Sequence, residues 1–145
     1  MKTSIMTQFI DKFRNIEAKV SKKFGEFILF GLFLPEDAPN KWDLVVSAIW
    51  LKRDNMNALK SISEFINNEL GNDIIKLSKV VVVEPTDAFV KSINSIIQTK
   101  NTCVEFANCD FNGLQIKQAY IITSQKTQKT GNTAKPQSKA DEVYA

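Results

Sequence analysis

The chain has 145 residues, 43% of them hydrophobic and 24% charged, with a net charge of +3 and no histidine. One globular domain fits that length, and ten phenylalanines and two tryptophans can fill its core. The missing histidine excludes Ser-His-Asp and Cys-His relays, HExxH zinc sites and imidazole proton shuttles.

Ile5, Met6, Phe9, Ile10, Phe13, Ile16, Val20 and Phe24 recur at three- and four-residue steps. That spacing predicts an amphipathic helix, capped by Thr3 or Ser4 and ended by Gly25. Asp11, Arg14 and Glu17 break the apolar run that a secretion signal needs, so the cytoplasm is the expected compartment. No run in the chain approaches the roughly 18 apolar residues that span a bilayer, and no membrane role is expected.

Residues 27–34 (FILFGLFL), 44–51 (LVVSAIWL) and 80–83 (VVVV) are apolar at every position or nearly so. Strands of that kind are covered on both faces, and these three are expected at the centre of a sheet. Gly31 marks a bulge or a close backbone approach. The first two strands form a hairpin whose loop carries Pro35, Glu36, Asp37, Pro39, Lys41, Trp42 and Asp43, with Trp42 packed at the sheet's end. Asp54 is the expected cap of a second helix, with Met56, Leu59, Ile62, Phe65, Ile66 and Leu70 inward and Gly71 closing it. Thr86 is expected to cap a third, with Phe89, Val90, Ile93, Ile96 and Ile97 inward.

Asn112-Gly113 predicts a two-residue hairpin turn. Counting back from it pairs Phe111 with Leu114, Cys109 with Ile116 and Phe106 with Ala119. One face then collects Cys103, Cys109, Phe111, Leu114, Ile116, Tyr120 and Ile122. On one strand the two cysteines would lie about 20 Å apart, too far for a disulfide; both are expected as buried, reduced thiols. Residues 124–145 are polar and lack periodicity, the composition of a disordered tail.

The expected fold is an α/β domain over residues 1–123, in the order α-β-β-α-β-α-β-β, with a five-stranded mixed sheet and helices packed on it. Right-handed helical crossovers are expected to make strands two, three and four parallel. Their C-terminal ends would then share one edge, with Lys22 and Lys23 nearby. That edge gathers Lys52, Arg53, Glu84, Thr86, Asp87 and Asp110, and helix starts beside cations suit phosphates or acidic groups. It is the leading candidate site.

The alternative site is Glu36, Asp37 and Asp43, where carboxylates would hold magnesium in an enzyme acting on phosphate esters or nucleic acid. The opening helix followed by Leu29-Phe30-Gly31 and a carboxylate resembles the small nucleotidyltransferase pattern. That family has a Gly-Ser turn and paired aspartates; here Leu32 follows Gly31, and Asp43 has Lys41 two positions before it. A PD-(D/E)xK nuclease needs Glu-x-Lys on a strand, and Glu17-Ala18-Lys19 falls in a helix. The residues therefore favour a non-enzymatic module, without a cofactor, that binds another macromolecule. A protein is the expected partner. Nucleic acid could contact the basic ends, since residues 1–26 carry six Lys/Arg against three acids and residues 124–145 four against two.

Overall fold

A computed structural model describes residues 2–37, 41–52 and 55–126, and side chains from residue 6 onward. Helix α1 (Lys2–Phe24) buries Phe9, Ile10, Phe13, Ile16 and Val20 along one side. Thr3 and Ser4 lie within it rather than at its cap. It ends at Gly25, whose φ of 130° is open to glycine and strained for other residues. A Cβ there would also sit 2.8 Å from Trp50 Cδ1.

Helix α2 (Met56–Leu70) is capped by Asn55, which accepts a 3.1 Å hydrogen bond from the Ala58 amide. The expected cap, Asp54, lies outside the described residues. Asn and Asp cap equally well, so adjacent candidates could not be separated by type alone. Gly71 closes the helix at φ 55° and a 3-10 turn (Gly71–Lys76) follows. Helix α3 (Ala88–Ile96) starts one position later than expected: Asp87 is its cap, accepting from the Phe89 amide at 2.8 Å. Of its five expected inward residues, Val90 and Ile93 are buried, Phe89 and Ile97 half-buried, and Ile96 is 57% exposed.

The strands are β1 (Leu29–Pro35), β2 (Trp42–Ser47), β3 (Leu77–Val82), β4 (Val104–Phe111) and β5 (Leu114–Ser124), in the spatial order β3-β2-β1-β5-β4. The α2 crossover makes β2 and β3 parallel, as expected, and every other pair is antiparallel. The expectation for β4 fails. It runs opposite to β3 at the far edge, because α3 carries the chain from one side of the sheet to the other and β5 returns between β4 and β1. β3 is likewise an edge strand, not a central one. Leu77, Val80, Val81 and Val82 are half-buried and Lys79 is exposed.

Helices α1 and α2 pack on one face, over Phe30, Leu32, Leu44, Val46, Tyr120 and Ile122. Helix α3 covers the other, over Leu29, Phe33, Val45, Ala119 and Ile121. The Asn112-Gly113 hairpin has the expected register throughout, but its expected single face is split. A shift in β1–β5 pairing sets Leu34 opposite Gln118 and Pro35 opposite Ile116, so β5 carries one extra residue there. Asn108 at φ 53° stands on the neighbouring stretch of β4. Phe111, Cys109 and Ile116 therefore face α3, Tyr120 and Ile122 face α1, and Leu114 is 49% exposed. Cys103 precedes β4 and is exposed, contrary to expectation, while Cys109 is half-buried; both are free thiols. Gly31 satisfies both halves of its expectation. A β1–β5 register shift falls beside it, and a Cβ would lie 3.2 Å from the Tyr120 carbonyl oxygen.

β5 extends through Ser124, a buried residue whose hydroxyl donates to Asn94 Oδ1 at 2.6 Å. The Gln125 amide donates to Ile28 O at 3.0 Å. The tail expected from composition begins within this strand, and residues 127–145 lie outside the described ones. Truncation after Lys126 should leave the melting temperature within about two degrees, since the lost segment has few apolar groups to repay its ordering. Truncation after Thr123 should lower it further, by removing the Ser124 and Gln125 contacts. Differential scanning calorimetry of both variants checks this.

Candidate functional site

The expected edge exists, with a smaller membership. β1 begins where β2 ends, Leu29 opposite Ser47, and β5 ends there too, Ser124 opposite Leu29. The chain leaving β2 turns at Ile49–Trp50 and packs back on the exit of α1. Trp50 stacks on Phe24 with ring centroids 5.2 Å apart, meets Phe27 edge-on at 5.3 Å, and donates its indole N–H to Glu26 O at 3.1 Å. That packing brings Lys52, two residues past Trp50, to the same end as Lys22 and Lys23, and all three are exposed. Lys23 Nζ lies 5.4 Å from the Phe24 centroid and 6.0 Å from that of Phe65. Arg53 lies outside the described residues.

Among the described side chains, the other lysines of α1 are neutralised. Lys12 meets Asp73 at 2.9 Å and Lys19 meets Glu69 at 3.1 Å. The hydrogen bond from Lys12 holds the Asp73 carboxyl below its ordinary value. Desolvation raises the Glu69 carboxyl, but hydrogen bonds from Lys19 and Asn15 outweigh it and the net shift is downward. Among the described residues, Lys22, Lys23 and Lys52 have no such carboxylate. Two apolar side chains that follow β2 are exposed, Ile49 at 54% in the turn and Met56 at 70% at the start of α2. Met56, expected inward, instead opens α2 at its exposed start, and Ala58 takes the buried place.

Glu84 and Asp87 follow the end of β3, which runs parallel to β2, so they share this end of the sheet. They lead into α3 on the opposite face, and the Asp87 carboxylate is occupied as a cap. Thr86 is exposed beside them. Asp110 is not part of the site. The reversal of β4 puts it at the other end, where it accepts from the Gly113 amide at 2.6 Å and Gln115 Nε2 at 2.8 Å. Its role is to hold the hairpin turn.

The alternative carboxylates also lie at that other end. Glu36 and Asp37 are exposed in the turn after β1, and Asp43 is half-buried on β2 opposite Lys79. Burial pushes the Asp43 carboxyl up, against the opposing pull of Lys79 and a hydrogen bond with Ser78. A lone carboxylate beside a lysine is a cross-strand charge pair. Among the described residues no three Asp, Glu or Cys side chains gather as a metal-ligand set. Trp42 packs at this end as expected, 5.4 Å from the Tyr120 ring. The exposed Cys103 thiol is held above its ordinary value, first by desolvation and then by Glu105, which disfavours the nucleophilic thiolate.

One polar cluster escaped the sequence reading. Glu17, 2% exposed, accepts from Asn101 Nδ2 at 2.7 Å and from the Thr123 hydroxyl at 2.8 Å. Asn101, at φ 50°, also receives Arg14 Nη2 on its carbonyl at 3.0 Å and donates its amide to Thr123 Oγ1 at 3.0 Å. Every carboxylate oxygen has a protein donor, so the cluster fastens α1 to the α3–β4 connection and β5 and offers no open ligand position. At about 100° per residue, Glu17 lies only about 40° from Phe13 around the helix. A charge inside an apolar stripe was the available signal.

No family model, curated protein or solved structure matches the chain.

Proposed function

We propose that this chain is a non-enzymatic module that binds another protein through the sheet end formed by Lys22, Lys23, Lys52, Ile49 and Met56. One observation carries the reading: at this end of the sheet stand three exposed lysines with no carboxylate partner among the described residues, and two large exposed apolar side chains, Ile49 and Met56. Protein recognition combines an apolar anchor, which supplies affinity, with a charged rim, which supplies steering and specificity. Nucleic acid is the weaker reading, because Trp50 lies against Phe24 with the site of a Gly25 Cβ 2.8 Å away and so offers no open stacking platform.

Charge reversal tests this. Lys22→Glu with Lys52→Glu should weaken capture of a partner, most strongly at low salt, because exposed charges act mainly through screened attraction. Stability should change by less than about 1 kcal/mol, both residues being on the surface. The measurement is quantitative affinity capture from cell extract at two salt concentrations, compared with Lys117→Glu on the exposed part of β5. Equal capture by all three proteins at low salt defeats the reading.

A further inference from the structure

The β4–β5 turn lies at the opposite end of the sheet from the lysines, and its chemistry is independent of them. We propose that Asn112-Gly113 is a spontaneous modification site, where the Asn112 amide is lost through a cyclic imide, and that Asp110 holds the reaction back.

Asn112-Gly113 is the only asparagine-glycine pair in the sequence. The reaction joins the Gly113 backbone nitrogen to Asn112 Cγ. The Cγ–Nδ2 bond breaks, and the proton from the glycine nitrogen leaves with Nδ2 as ammonia. Water then opens the imide at either carbonyl, giving aspartate or isoaspartate at position 112. Glycine suits the attack because no side chain shields its nitrogen. Even a Cβ at Gly113 would meet nothing within 4 Å. Asn112, Gly113 and Leu114 are all exposed, so water reaches the turn.

The fold restrains this step. Phe111 pairs with Leu114, and Asn112 and Gly113 sit between them at φ 54° and 88°, the positive values of a tight two-residue turn. The Gly113 N–H donates to Asp110 Oδ1 at 2.6 Å, and Gln115 Nε2 holds Asp110 Oδ2 at 2.8 Å. The attacking nitrogen must give up that same proton. A hydrogen bond to a carboxylate is stronger than one to a neutral oxygen. The carboxylate's charge also opposes the anion that the nitrogen becomes on losing its proton. Asp110 therefore ties up the nucleophile, and the imide closes when the turn opens. The product cannot rebuild the same turn. Isoaspartate adds a carbon to the backbone there, and either product sets a second carboxylate near Asp110.

The test incubates the full chain at mildly alkaline pH and follows its digested peptides by mass spectrometry. Position 112 should convert well before any other asparagine. Asp110→Ala should quicken that conversion by roughly tenfold, the lower end of what a hydrogen bond to a charged group contributes. Amide exchange at Gly113, read by NMR, should quicken in parallel. Asp110→Asn keeps an acceptor without the charge and should fall between, with circular dichroism checking that both variants fold. Leu114→Ala loosens the hairpin without touching the Gly113 bond, and should convert more slowly than Asp110→Ala. Conversion at 112 no faster than at the other asparagines overturns the modification site. Conversion in Asp110→Ala equal to or slower than in the unaltered chain overturns the restraint. Leu114→Ala matching Asp110→Ala also overturns it, by making general hairpin stability the cause.

Discussion

Phe13→Ala should destabilise the protein by about 3–5 kcal/mol, the range for truncating a fully buried phenylalanine. Phe13 is 0% exposed at the middle of the α1 stripe, and its ring meets Phe9 edge-on at 5.1 Å. Its neighbours in the core come from both helices and the sheet, so they cannot close over the void by moving as one unit. A domain of this size has a total stability of about 5–15 kcal/mol, so the variant should lose a third of it or more. Urea unfolding followed by tryptophan fluorescence reads the change as a lower midpoint at unchanged slope. An unchanged midpoint would mean that the α1 stripe faces a partner or a membrane surface and not the sheet.

The same residues explain which parts of the fold were legible. The α1 stripe repeats over five turns, and the hairpin register is fixed by a turn that only a few residue pairs form; both are local signals, and both hold in the structure. Strand order is not a local property. Val80 to Val83 look like a central strand because four valines suit either a two-sided core or an edge whose sides are half-covered by neighbouring helices. The choice depended on where α3 crosses, and nothing in residues 88–96 encodes its destination. The split face of β4 and β5 had a similar origin. Asn108 looks like an ordinary polar strand residue, yet its φ of 53° accompanies the bulge that sends Tyr120 and Ile116 to opposite faces.

The candidate site was legible as charge and illegible as packing. Lys22, Lys23 and Lys52 are conspicuous in the sequence, and the β1–β2 hairpin brings them to one end of the sheet whether or not β4 is parallel. Asp110 would join that edge only if β4 ran parallel to β3, and β4 runs the other way. Ile49 and Met56 were read as apolar members of a strand and a helix. Their exposure arises because β2 stops at Ser47 and α2 starts at Met56, boundaries that hydrophobic pattern does not set to within a residue. The placing of the Ile49–Trp50 turn depends on the stacking of Trp50 on Phe24, a long-range contact that local pattern does not encode.

Glu17→Ala should cost about 2–4 kcal/mol, because hydrogen bonds to a charged group contribute about 1.5–3 kcal/mol each and one of the two donors is left buried without its acceptor. The donors are Thr123 Oγ1, on a residue with 0% exposure, and Asn101 Nδ2. Relief of the carboxylate's own desolvation offsets part of the loss. Glu17→Gln separates the terms. Its amide oxygen can still accept from one donor, but its NH₂ faces the other, so it should cost less than Ala while retaining the side chain's volume. Glu17→Met keeps the bulk and removes every acceptor, and should fall with Ala if hydrogen bonding dominates. The three midpoints in urea should therefore rank wild type, Gln, then Met and Ala together. Met equal to wild type would show that the site needs only volume, and that α1 is held to the sheet by its phenylalanines alone. Because Asn101 is bound to Arg14 and Glu17 at once, amide exchange at residues 99–102 should quicken in Ala and Met before global unfolding, which a simple loss of packing around Phe13 would not produce.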